Sequence, residues 1–254
     1  MSGSCSIIGE KDGAPERPID VSRVPDAVPK YEERSKYGNP SSYEVLGKRY
    51  YVLESSEGFV ERGIASWYGK KFHGRRTSSG ETYDMYAMTA AHKHLPLPTY
   101  VEVTNLENNR SVVVKVNDRG PFHANRIIDL SYSAAVKLGI VNNGTGLVEV
   151  RAIQPGQQQQ RTIPVRHVPR DRDSTTAFYI QVGAFSYLAN AENLRRKLAG
   201  FGEDLVNINR AVINGEVLHR VRIGPLVTVA TADRIVDRLA EIGVTEHTIV
   251  VDRP

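Results

Sequence analysis

Cysteine is almost missing from this chain. Its 254 residues hold one, Cys5, so no disulfide can close within it. Long apolar runs are missing as well, and none approaches the roughly 18–20 residues that a bilayer-spanning helix needs. Charge of one sign is scarce: 33 Lys and Arg stand against 29 Asp and Glu, a formal excess of +4. That mild basicity is compatible with an anionic polymer partner and too small to identify one. No Ser-His-Asp or Cys-His arrangement for nucleophilic catalysis stands out. His73, His92, His94 and His123 do not have the spacing of zinc ligands on one helix face. No metal or cofactor is expected. What is present is ordinary for a globular protein, with 40% apolar and 24% charged residues.

Residues 1–43 carry Pro15, Pro18, Pro25, Pro29 and Pro40 among Gly, Ser and charge, and read as an extended tether. Residues 44–153 turn strand-like. Tyr100–Thr104 and Leu147–Arg151 alternate apolar and polar, Ser111–Val116 does so in part, and residues 107–110 suit a hairpin turn. A short helix fits Ser131 to Leu138, with Ser131 as N-cap and Gly139 as stop. Many short strands with one small helix suggest a compact β-barrel. Residues 154–175, with four consecutive glutamines followed by Arg, Pro and Asp, read as a flexible linker. Residues 176–254 read as strand, helix, two strands joined at Asn214-Gly215, helix and strand, a split β-α-β-β-α-β domain with one sheet face free of helices.

Three segments carry the chemistry. They are Gly63-Ile64-Ala65-Ser66-Trp67-Tyr68-Gly69, then Thr77-Ser78-Ser79-Gly80-Glu81-Thr82-Tyr83-Asp84-Met85 leading to His92, and Val116-Asn117-Asp118-Arg119-Gly120-Pro121-Phe122. General acid catalysis needs a carboxyl that keeps its proton until the reaction calls for it. Asp118 follows an apolar strand and precedes Gly120-Pro121, so it should sit at a barrel rim, where a partly desolvated carboxyl can serve as general acid. An Asp capping the next turn is the plainer reading. Glu81 lies in a loop able to reach a groove, and His92 can orient a carboxylate or donate to a sugar. Asp129 and Arg119 are expected to form a structural ion pair. Tyr68 and Tyr83 are expected as groove aromatics.

These segments resemble the rare lipoprotein A family, whose module is a double-psi β-barrel related to expansins and to a class of lytic transglycosylases. Tyr179–Phe185 and His219–Pro225 resemble the sporulation-related repeat (SPOR) domain, which binds peptide-free glycan strands. The resemblance implies an endolytic peptidoglycan lytic transglycosylase that leaves 1,6-anhydro ends during septal wall processing. Asp118 would be the acid, with Glu81 and His92 its catalytic partners, while Gln181 and Arg222 on the free sheet face would bind glycan. It also implies a monomer in the periplasm, lipidated at Cys5, anchored to the outer membrane and enriched at the septum. In that reading Met1–Ser4 is the stub of a trimmed signal peptide, although Ser2 stands where a lipobox has an aliphatic residue. The alternative is a non-catalytic, expansin-like wall protein. Nucleic acid is not an expected partner, because the strand Val217–Ile223 lacks the stacking aromatics of RNA-recognition modules.

Overall fold

The computed structural model describes residues 12–16, 20–156, 177–202, 204–213 and 215–251. Cys5 and all but the first three residues of the expected linker lie outside these. In chain order the first unit contains the hairpin β1 (Ser42–Val45) and β2 (Lys48–Tyr51), then β3 (Val60–Tyr68), β4 (Thr89–His92), β5 (Thr99–Asn105), β6 (Ser111–Asp118), β7 (Arg126–Ser131), α1 (Tyr132–Leu138) and β8 (Gly146–Ile153). Strands β3-β7-β4-β6-β5-β8 close into a barrel, with β3–β7 and β4–β6 parallel and the other pairs antiparallel. Alternation sets what faces inward: Val112, Val114 and Val116 of β6 are buried with Val101, Val103, Leu130, Val148 and Val150, while Lys115 points out. Helix α1 starts and stops as its sequence dictates. The Ser131 hydroxyl accepts from the Ala134 N–H, and Gly139 takes the left-handed conformation at φ 81°.

The second unit runs β9 (Phe178–Phe185), α2 (Leu188–Lys197), β10 (Val206–Ile213), β11 (Glu216–Leu226), α3 (Val229–Glu241) and β12 (Thr248–Val251). Its antiparallel sheet has the order β10-β11-β9-β12. Phe178, Ile180, Val221 and Ile223 form one apolar cluster with Ala191, Leu198, Ile235 and Leu239 of the helical side.

The described residues 20–43 of the expected tether do not hang free. Residues 20–53 form a strap along the barrel wall. Ala27 N donates to Val113 O at 3.0 Å, Ser35 N to Leu97 O at 2.9 Å and Leu53 N to His94 O at 2.8 Å, while Val21, Tyr50 and Val52 are buried. Its prolines hold the backbone extended, so laying it on a surface costs less chain entropy than for an ordinary segment.

The second unit also rests on the barrel. Arg126, at the start of β7, is 7% exposed and forms a two-pronged pair with Asp233 of α3, at 2.9 and 2.7 Å. Asn125 donates to Asp233 Oδ1 at 3.2 Å, and its own Oδ1 lies 2.6 Å from His247 Nε2. Beside this clamp, Ile64 and Leu147 of the barrel wall, 0% and 1% exposed, join the apolar cluster of the second unit. Strand β12 faces β3 across a cleft lined by Val60, Glu61, Arg62 and Glu149 on one side and Ile249–Val251 on the other.

Candidate active site

Strand β6 ends in Asn117-Asp118, and the loop 77–82 folds against that end. Ser79 N donates to Asn117 O at 3.1 Å, fixing the loop to the strand. Asp118 Oδ1 accepts from Ser78 N at 2.8 Å, Ser78 Oγ at 2.7 Å and Arg119 N at 2.7 Å. The cap-like bonding of the plainer reading is therefore present. It falls entirely on one oxygen, and no hydrogen bond from a described residue reaches Oδ2.

Glu81 lies in the same loop. Lys115 Nζ donates to its Oε1 and Asn117 Nδ2 to its Oε2, each at 2.7 Å, so both oxygens face donors suited to a carboxylate. Asp118 and Glu81 are thus brought to one rim.

His92 is elsewhere in character. It is 1% exposed, its Nδ1 accepts from the main-chain N–H groups of His94 and Leu95, and Nε2 lies 3.2 Å from Glu61 Oε2. Nδ1 therefore carries no proton and Nε2 does. Burial holds the imidazole below its usual pKa, with Glu61 partly offsetting this. The carboxylate that His92 orients is Glu61, not Asp118 or Glu81.

Three expectations need correction. Tyr68 and Tyr83 are not groove faces: they are 8% and 2% exposed and stack on each other with centroids 4.2 Å apart, the Tyr83 hydroxyl donating to Tyr68 O at 2.7 Å. Motif position does not reveal which aromatics are core: Tyr68 ends β3 facing inward, and Tyr83 lies in the loop that stacks on it. Phe72, 39% exposed and edge-on to Tyr68, keeps a ring at the surface, and Tyr37, 66% exposed against Gly80, keeps another. Arg119 does not pair with Asp129. Its guanidinium forks onto Gly38 O, Leu95 O and His92 O and onto Asn39 Oδ1, and burial pushes its pKa down to about 10. Finally, Arg222 is not an open surface guanidinium. It is 7% exposed, donates from Nε to Gln181 Oε1 at 3.4 Å and lies over the Tyr179 ring. Among the described residues no group of three His, Cys, Asp or Glu could hold a metal.

Asp129 is the carboxyl that pattern reading undervalued. Ala91 pairs with Asp118 on one side and with Asp129 on the other, so the acids stand at one level of the barrel, two strands apart. The Ser66 hydroxyl donates to Asp129, yet burial outweighs that bond and raises its pKa. The available signal was a lone acid within the apolar run Ile127-Ile128-Asp129-Leu130.

A family described as lytic transglycolase matches residues 60–150, and the SPOR domain family matches residues 174–249. An endolytic peptidoglycan transglycosylase RlpA of Pseudomonas aeruginosa (strain UCBPP-PA14) is 40% identical, over 94% of this chain and 84% of that protein. The chain belongs to the RlpA family. A family member of the same name from Vibrio cholerae serotype O1 is 41% identical over 91% of this chain and 84% of its own. The crystal structure of the RlpA SPOR domain from Pseudomonas aeruginosa is 38% identical, covering 30% of this chain and 99% of that one, with a TM-score of 0.28. The six-stranded barrel is accordingly a double-psi barrel, and the second unit is a SPOR domain.

Proposed function

We propose that this protein is an endolytic peptidoglycan lytic transglycosylase. It cleaves the MurNAc–GlcNAc bond of peptide-free glycan and leaves 1,6-anhydro ends. The observation that carries the reading is the one-sided bonding of Asp118. Three donors hold Oδ1, which leaves Oδ2 as the oxygen that gives up and takes back a proton. In the first half of the reaction Asp118 protonates the glycosidic oxygen, and the bond from the muramic anomeric carbon to that oxygen breaks. In the second half the muramic C6 hydroxyl attacks the anomeric carbon and its proton returns to Asp118. No water is consumed. Glu81, held between Lys115 and Asn117, supplies fixed negative charge beside the developing oxocarbenium ion rather than a proton. His92 supports the rim from within: its main-chain oxygen takes a bond from Arg119, the residue after the acid.

The SPOR domain supports binding to glycan, with half-buried Gln181 on β9 as the polar group toward the surface and Arg222 of β11 holding its amide oxygen. Family membership supports a monomer at the periplasmic face of the outer membrane, anchored by lipid on Cys5 and enriched at the septum. Labelling the native precursor with a radioactive fatty acid tests the anchor, and an unlabelled protein removes it. The test of the activity is mass spectrometry of peptide-free glycan after digestion. Anhydro ends bear the reading out. Hydrolysed ends make the protein a hydrolase, and an unchanged substrate makes it a glycan-binding wall protein.

A further inference from the structure

We propose that Glu32, in the strap, is a positioning residue for Glu81 and acts through the Lys115 ammonium. The catalytic unit then begins in the strap, ahead of the barrel's first strand. This rests on the reading of Glu81 and Asp118 given above.

Lys115 points outward from β6 with its side chain 17% exposed, and Nζ donates to Glu32 Oε2 at 2.9 Å as well as to Glu81 Oε1 at 2.7 Å. Glu32 is itself fixed from the far side, where its Oε1 accepts from the Tyr100 hydroxyl at 2.5 Å. Tyr100 and Lys115 face each other across the β5–β6 ladder, so both grips on Glu32 come from one rigid stretch of barrel. A lysine is a point charge on a flexible four-carbon stem, and one carboxylate partner leaves it free to swing. Two partners on opposite sides define where Nζ sits. Glu81 gains most from this, because its side chain is 44% exposed and stands in a loop rather than on a strand.

The same stretch of strap grips the same loop twice more. Ser35 Oγ donates to Ser79 O at 2.9 Å. Gly38 lies so close to Ser78 that a Cβ would stand 2.6 Å from its carbonyl oxygen, and at φ 74° only glycine is comfortable there. Ser78 is the residue that holds Asp118. The strap therefore reaches both carboxylates: Glu81 through Lys115, and Asp118 through Ser78.

The test uses the full chain carrying Glu32→Gln, with three readouts. These are kcat and KM from release of anhydro-ended fragments, the melting temperature, and the NMR signals of the Asn117 side-chain amide, which donates to Glu81. We expect kcat to fall about tenfold with KM changed less than about twofold, the size a small misplacement near the reacting atoms produces. The fold should persist and the Asn117 signals should move. In a Lys115→Met background, Glu32→Gln should lower kcat no further. Unchanged kcat with unmoved Asn117 signals overturns the proposal, as does an undiminished loss of kcat when Lys115 is already Met. If Glu32→Gln fails to fold, Tyr100→Phe loosens the same carboxylate more gently, and it should lower kcat about twofold to threefold. No change in that variant is equally fatal. If the wild type releases no anhydro ends, the reading of the activity falls, and the Asn117 signals alone decide whether Glu32 positions Glu81.

Discussion

The strap and the SPOR domain are held to the same barrel by opposite means. The strap's contacts are spread along its length, through main-chain bonds at Ala27, Ser35 and Leu53, side-chain bonds at Asp26, Glu32 and Asn39, and buried Val21, Tyr50 and Val52. The SPOR domain's polar attachment is concentrated at Asp233, Arg126, Asn125 and His247, beside an apolar patch at Ile64 and Leu147. Away from Arg119, whose guanidinium binds Gly38 O and Asn39 Oδ1, the strap's distributed attachment loses little when one side chain goes, whereas a concentrated attachment can be undone by a single substitution. The strap also touches the loop that carries Glu81, whereas the SPOR clamp lies at the opening of β7 and touches neither Glu81 nor Asp118 among the hydrogen bonds described. The strap thus contacts the candidate site, and the SPOR domain stands apart from it.

Two variants break this contrast with the largest effects. Arg119→Ala removes the one concentrated point in the strap's attachment. It leaves the carbonyls of Gly38, His92 and Leu95 without their shared donor. We expect a loss on the order of 3–5 kcal/mol in urea unfolding and no measurable glycan cleavage. A stable, active protein would show that the strap does not depend on this hub. Asp233→Ala strands Arg126, whose side chain is 8% exposed, and should weaken docking by about 2–4 kcal/mol. Small-angle scattering should show a more extended molecule, while turnover on saturating soluble glycan stays within about twofold. An unchanged radius of gyration would mean that the apolar patch, not the clamp, seats the domain.

Sequence reading is uneven across the same two regions, for physical reasons. Helix α1 and the SPOR hairpin that pairs Ile213 with Glu216 were legible because Ser131, Gly139 and Gly215 act on neighbours within a few residues. Strands β4 and β7 were not. Thr89–His92 is only four residues long, and Arg126–Ser131 sets Ile127 and Ile128 side by side, which breaks the apolar–polar alternation that marks a strand. The strap is extended on either reading. Whether it hangs free depends on Leu97 and Val113, some 60 to 90 residues away, and proline content is blind to them. In the site, Asp118 and Glu81 could be read from local motifs. Ser66, which holds Asp129, is 63 residues from it, and only closure of the barrel brings them together.

Acid should separate the regions next. At the SPOR clamp, burial lowers the His247 pKa, and the nearby Lys48 charge adds to this. The neutral ring's contribution is fully present above its unfolded value of about 6.5 and is lost as pH falls below it. Burial opposes ionisation of Asp233 as well, but bonds from Arg126 and Asn125 prevail and hold its pKa below the usual range. That contribution is present above about pH 4 and is lost as pH falls through the lowered folded-state value. Docking should therefore weaken in two steps, followed by scattering across a pH series, and His247→Gln should remove the upper step alone. The barrel has its own upper window through buried His92, whose folded pKa is likewise lowered. A barrel that keeps its full stability well below pH 6 would contradict that burial.

The smallest effect is the sharpest check on the contrast. Ser35 sits in the middle of the strap, where its hydroxyl donates to Ser79 O at 2.9 Å and accepts from Tyr37 N at 3.1 Å. Ser35→Ala deletes both bonds, yet the Ser35 main-chain N–H still reaches Leu97 O and Asn39 still exchanges bonds with Leu97 on both its main-chain groups. The strap is therefore held on either side of the lost side chain. Its net cost should be about 1 kcal/mol, the usual worth of a partly exposed hydrogen bond, or roughly 2–4 °C in melting temperature for a chain of this size. Turnover should fall less in Ser35→Ala than in Glu32→Gln, because Ser79 is held a second time by its N–H on Asn117 O whereas, among the described residues, Glu32 is the one partner that sets the Lys115 ammonium against Glu81. A Ser35→Ala loss as large as that of Asp233→Ala would mean that the strap too hangs on single contacts, and the distinction between a spread and a concentrated attachment would fail.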